Sequence, residues 1–112
     1  MANPKEIRGL IVGVLAAAYP TPVTDRRVFL TLDKLEFDTP KEQLRGYLMY
    51  LRDAGYIELE QDFDELTGDF ARAWLTGKGL QLVRGEREAD SFVDPKGYER
   101  PATDNPALRK RG

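Results

Sequence analysis

The side chains in this sequence best equipped for chemistry are cations at helical spacing. Lys41, Arg45 and Arg52 stand at i, i+4 and i+11. On a helix they sit about 60–100° round from an apolar stripe of Leu44, Leu48 and Leu51. A guanidinium can make paired hydrogen bonds to a phosphate or to O6 and N7 of guanine, and an ammonium acts as a point charge. Arg26 and Arg27 lie upstream, and Arg72 follows a strongly acidic stretch. The chemistry these residues offer is anion recognition. Most other chemistries lack their reagents, because the chain has no cysteine and no histidine. Thiolate nucleophiles, imidazole acid–base catalysis and the usual Cys/His zinc site are excluded. Neither an enzyme nor a cofactor is expected.

The acids form the second constellation. Glu58, Glu60, Asp62, Asp64, Glu65 and Asp69 follow one another with no intervening base, a potential that repels nucleic acid. Phe63, Glu65, Leu66 and Phe70 in this stretch would suit a basic protein partner. Arg72 could approach a phosphate, but pairing with Glu58 or Glu60 across a hairpin is its expected use. Residues 62–69 have the wrong glycine position for a calcium loop and lack a twelfth-position Glu, so no metal is expected. Carboxylates on a hairpin tip also lack the burial that separates pKa values in catalytic pairs. Neither Gly9-x-x-x-Gly13 nor Gly77-x-Gly79 has phosphate-loop spacing.

These side chains need elements to position them. Ile7, Leu10, Ile11, Val14, Leu15 and Ala18 follow one helical face, predicting a first helix that ends near Tyr19. Its other side, with Gly9, Val12, Gly13, Ala16 and Ala17, is small or apolar, open to a dimer partner or a later helix. Val23 can form a very short extended segment. Thr24 or Asp25 can cap a second helix with Val28, Phe29, Leu32 and Leu35 on one face, running to about Phe37. Arg26 and Arg27 then lie near its start. Thr39-Pro40-Lys41-Glu42 reads as a capping box, opening a third helix at about 40–54 that Gly55 stops. Alternation at residues 56–60 and the run 70–75 predict a hairpin with a long acidic loop over 61–69. Trp74 is expected as a core anchor beneath it. Thr76 caps a last short helix ending at Gly85. From Glu86 apolar residues thin out and prolines accumulate, predicting a domain over 4–86 and an extended or disordered tail over 87–112, with a small basic cluster at Arg109-Lys110-Arg111.

The expected fold class is α+β, mainly α: a winged helix-turn-helix with a three-helix core, a β-hairpin wing and a short C-terminal helix. Residues 42–59, EQLRGYLMYLRDAGYIEL, resemble the recognition helix, glycine stop and first wing strand of MarR-like and PadR-like regulators. Residues 74–85, WLTGKGLQLVRG, resemble the strand end and Leu-Thr-x-x-Gly helix start that close their wing. Over roughly residues 5–88 the chain is also similar to a family of small winged-helix proteins of Mu-like bacteriophages and prophages. The resemblance implies a DNA-binding, transcription-associated phage protein.

Composition sets bounds on this expectation. A 112-residue chain with 41% hydrophobic and 32% charged residues suits one folded domain. A formal charge of -2 argues against indiscriminate binding to nucleic acid or anionic membrane. Over residues 21–57 six cations face six acids, Asp25, Asp33, Glu36, Asp38, Glu42 and Asp53 among the latter, so any basic surface is local. The apolar run at 10–19 is too short to cross a membrane. It could pass for a secretory leader, but Glu6 and two glycines argue for a helix in a cytoplasmic protein. The expected partner is duplex DNA, read by Lys41 and Arg45 with phosphates held by Arg26, Arg27 and Arg52, and homodimerisation would double the contacts. The alternative is a protein-interaction module using the acidic hairpin or the small side of the first helix.

Overall fold

A computed structural model of the protein describes residues 3–66, 68–86, 88 and 90–94. Among these, four helices and a three-stranded antiparallel sheet make an α+β architecture: α1 (Pro4–Ala18), β1 (Val23–Thr24), α2 (Asp25–Lys34), α3 (Lys41–Asp53), β2 (Ile57–Asp64), β3 (Gly68–Leu75) and α4 (Gly77–Arg84). The sheet order is β1-β3-β2.

The apolar spacing of residues 4–18 makes α1 the centre of the fold. Ile11, Val12 and Leu15 are fully buried, and α1 touches α2, α3, α4 and β3. Gly9, Val12 and Gly13, on the side left open to a dimer partner, are also buried. The chain's own later elements cover that part of the side, while Ala16 is half-buried and Ala17 exposed at its end. Val28 and Leu32 of α2, Leu44, Leu48 and Leu51 of α3, and Ile57, Ala73 and Leu75 of the sheet complete the core.

Three helices stop by the same device. In the Schellman motif, one residue in the left-handed region lets two amides reach back to the last free carbonyls. Gly55 (φ 89°) does this for α3 and Gly85 (φ 74°) for α4, while α2 uses Glu36 (φ 68°). There the Glu36 and Phe37 amides donate to the Asp33 and Leu32 carbonyls, both at 2.9 Å. This ends α2 at Lys34, short of Phe37, and leaves Leu35 46% exposed rather than on the buried stripe.

The Thr39 capping box does not form. The helix has no side-chain cap bond, because Thr39 is turned into the fold, 3% exposed, and its hydroxyl donates to the Phe37 carbonyl at 3.3 Å. A buried hydroxyl takes the nearest acceptor it can reach. Side-chain caps do form at Asn3, Thr24 and Thr76.

The acidic loop over 61–69 is mostly strand. Cross-strand pairing runs without a break from Ile57 opposite Leu75 to Asp64 opposite Gly68. Period-2 geometry then decides the faces. Ala71, Ala73 and Leu75 are buried, whereas Trp74 alternates to the other face opposite Glu58 and is only half-buried. It is not the expected core anchor.

Residues 90–94, assigned to the tail, return to the body. Val93 is 1% exposed within the core, the Asp94 amide donates to the Lys5 carbonyl at 3.2 Å, and the Tyr56 hydroxyl donates to Asp90 Oδ2. The Phe92-Val93 pair, flanked by polar residues, is too short an apolar signal to mark this return. The Arg109-Lys110-Arg111 cluster and the rest of the tail lie outside the described residues.

Candidate nucleic-acid interface

The Thr24 hydroxyl accepts from the Arg27 amide at 3.2 Å and so starts α2, which sets Asp25, Arg26 and Phe29 over the first turns of α3. Buried Leu44 and Leu48 anchor α3 and turn Lys41 and Arg45 outward. Between them lies an open cleft of about 370 Å³, closed on its far side by Asp69 and Phe70 of β3. The floor is apolar, formed by Phe29, Leu44, Leu48 and Phe70, and the rim is charged, with Arg26, Lys41 and Arg45 facing Asp25, Glu42 and Asp69.

The rim cations are loosely held. Arg45 stands 3.8 Å from Asp25 with 54% of its side chain exposed, so the pair is worth roughly 0–1 kcal/mol. Lys41 Nζ lies 5.7 Å from the Phe29 ring centroid, a contact that keeps the ammonium over the cleft without neutralising it.

The other expected contact residues go elsewhere. Arg27 borders a separate hollow beside Val14, Thr21 and Thr31. Arg52 pairs with its neighbour Asp53 at 3.2 Å on the exposed end of α3. Arg72 lies opposite Glu60 in the hairpin register, bonds Glu60 at 3.4 Å and also Asp62, and rests 5.3 Å from the Phe70 ring. The Phe63 amide and then the Arg72 guanidinium hold the Asp62 carboxyl below the usual carboxylate range. Of the six cations, the structure brings together Arg26, Lys41 and Arg45.

The residues named for a protein partner also separate. Phe70 closes the cleft, while Phe63 and Leu66 near the hairpin end are 62% and 94% exposed and Glu65 is exposed beside them. Tyr47 and Tyr50 face away from the cleft. The Arg8 guanidinium lies 5.5 Å from the Tyr47 ring centroid and 4.4 Å from that of Tyr50, and Arg8 Nη1 donates to the Phe92 carbonyl at 3.0 Å. Burial pushes the Asp90 carboxyl up, but hydrogen bonds from Tyr56 and the Phe92 amide, with the Lys78 and Arg8 charges, outweigh it and leave it below its ordinary value.

Sequence reasoning missed Asp25, Phe29 and this aromatic clamp on the back of α3. Only the helical phase of Phe29 signalled its place in advance. Among the described residues no group of acids could hold a metal ion, and no helix is long and apolar enough to cross a membrane. Comparison of the chain with family models, with curated proteins and with solved structures finds no match.

Proposed function

We propose that this chain is a winged helix-turn-helix protein that binds duplex DNA through α3 and regulates transcription, as its resemblance to the small winged-helix proteins of Mu-like phages implies. The observation that carries this reading is the convergence of Arg26, Lys41 and Arg45 on one open cleft between α2 and α3. The order of elements supports it as well: the second helix precedes the reading helix and a hairpin flanks both. In this arrangement α3 enters the major groove and Arg45 exchanges Asp25 for a guanine edge. Such a bidentate contact is worth about 1–3 kcal/mol of discrimination, more than the surface pair it replaces. Arg26 and Lys41 hold phosphates on either side.

Anisotropy of a labelled pool of duplexes, titrated with the full chain between about 50 and 200 mM salt, tests the reading. Affinity falls as salt rises, and a Lys41→Ala, Arg45→Ala variant binds at least tenfold more weakly with a shallower salt dependence. Absence of binding by the wild-type chain at the low-salt end overturns it.

A second reading has its own observation. Phe63 and Leu66 lie exposed beside acids at the hairpin end, a surface suited to a basic protein partner. A chain that ignores DNA in this titration would favour that surface.

A further inference from the structure

The hairpin holds large apolar side chains out in solvent. Phe63 is 62% exposed and Leu66 94% exposed, and Asp62, Asp64, Glu65 and Asp69 surround them in the sequence. A single exposed apolar residue is ordinary, so exposure alone assigns nothing. What gives these side chains a destination is a cavity of matching chemistry beside the same hairpin. The cleft between α2 and α3 has about 370 Å³ of open space over Phe29, Leu44, Leu48 and Phe70. An apolar cavity of about 150 Å³ already holds a benzene ring. On its rim, Arg26 and Lys41 form no ion pair among the described residues, and Arg45 has only the loose one to Asp25. An apolar floor within a polar rim is the anatomy of a pocket that takes a protein side chain. Unpaired cations on that rim favour a side chain flanked by acids.

We propose that the hairpin end of one copy of this chain docks in the α2–α3 cleft of a second copy. Leu66 is the anchor on the apolar floor, Phe63 covers the lip, and Glu65 meets Arg26 and Lys41. Glu42 and Asp69 offset part of the rim's charge, so insertion of the apolar anchor supplies most of the hold and the cations set its orientation. The chain cannot satisfy the cleft with its own hairpin end. Its β3 walls the cleft at Asp69 and Phe70, and cross-strand pairing continues past that wall to Asp64 opposite Gly68. The ladder therefore carries the hairpin end about 10 Å beyond the wall, and turning it back would break the last pairs. Each copy supplies one hairpin end and one cleft, so two copies satisfy each other across a twofold axis. The contact uses the cleft assigned above to DNA without depending on that assignment. Where both hold, pairing withholds Arg26, Lys41 and Arg45 from DNA, and the two bindings compete.

Sedimentation equilibrium of the full chain, over a range of concentrations at low salt, tests the proposal. The wild type should reach the mass of a pair. Leu66→Ser removes the anchor, and a second variant carrying Arg26→Glu and Lys41→Glu reverses the cleft cations. All three positions are exposed, so circular dichroism and melting temperature should stay as in the wild type. Each variant should raise the dissociation constant about tenfold or more. Mixing the two restores one intact hairpin end to one intact cleft, and the mixture should associate more than either variant alone. A wild type that is monomeric at every concentration overturns the proposal. So does a pair that either variant leaves intact, or a mixture that associates no more than its parts. No DNA is present in these measurements, so the functional reading stands or falls by its own titration.

Discussion

Gly79→Ala is the substitution whose effect the structure defines most closely. Its Cβ would stand 2.1 Å from the Tyr56 carbonyl oxygen and 2.9 Å from Leu75 Cδ2, so the start of α4 must move outward by roughly an ångström to reach ordinary contact distance. That movement pulls on three bonds. The Thr76 amide donates to the Tyr56 carbonyl at 3.0 Å, the Thr76 hydroxyl to the Gly55 carbonyl at 2.6 Å, and Lys78 Nζ to the Ala54 carbonyl at 2.8 Å. Overpacking of a fixed backbone costs about 1–3 kcal/mol, and weakening two of these bonds adds about 1–2 kcal/mol. Alanine's helix propensity returns about 1 kcal/mol. The net loss is about 1–4 kcal/mol, a substantial part of the ~5–15 kcal/mol that stabilises a domain. Urea denaturation followed by circular dichroism reads it directly. Gly77→Ala, two residues earlier, has nothing within 4 Å of its Cβ and should leave the midpoint unchanged or slightly raised. A Gly79→Ala protein as stable as the Gly77→Ala control would refute the close approach of α4 to Tyr56.

Three further outcomes follow from local geometry. Glu36→Gly should stabilise the fold by about 0.5–1 kcal/mol, because a side chain in the left-handed region costs about 1–2 kcal/mol and glycine's extra unfolded-state entropy offsets part of the gain; thermal denaturation checks the sign. Val93→Ala should cost about 2 kcal/mol for two buried methyl groups and the cavity they leave, and an unchanged urea midpoint would mean that residues 90–94 do not pack on the core. Asp90 has a carboxyl pKa lowered by folding, so its contribution is present above the unfolded value of about 3.9 and is lost as pH falls through the lower folded value. Asp90→Asn should therefore flatten the fall in melting temperature between about pH 5 and 3, and an identical slope in both proteins would exclude a charged Tyr56–Asp90 bond.

What the sequence made legible was periodicity. The stripes of α1 and α3, the short β1, the stop at Gly55 and the Thr76 cap all rest on patterns within one turn or one strand, and they formed where expected. The errors arose where the decisive partner was distant in sequence or the residue type was unusual for its place. Glu36 ends α2 in a conformation that favours glycine, so no residue type announced the stop. The Thr39 hydroxyl had a capping target and a competing carbonyl, and burial chose the carbonyl. Acids and glycine over 61–69 read as loop, yet strand pairing forms when neighbouring residues supply the other half of the ladder. Nothing local to α3 marked Asp25, on α2, as the partner of Arg45. The cleft depends on such long-range contacts, which is why its cations were visible in the sequence and its floor was not.

The distribution of charge constrains how DNA could be engaged. Arg72, the hairpin's one cation between residues 57 and 75, is committed to Glu60 and Asp62, so the hairpin has none left to offer the minor groove. Its acids lie on strands that continue from the cleft wall at Asp69 and Phe70, and their field reaches about 8–10 Å at ordinary ionic strength. A duplex on α3 must therefore run along α2 and away from the hairpin. That leaves Arg26 and Lys41 for phosphates and Arg45 for a phosphate or a base. At about 0.9 counterions per neutralised phosphate, two or three such contacts give a salt slope of about −2 to −3, several times shallower than that of a strongly basic reader. Little of the binding free energy would then come from non-specific attraction. Under the DNA-binding reading, so shallow an electrostatic contribution leads to one expectation: the chain would discriminate among sequences by direct base contacts and hold arbitrary DNA weakly.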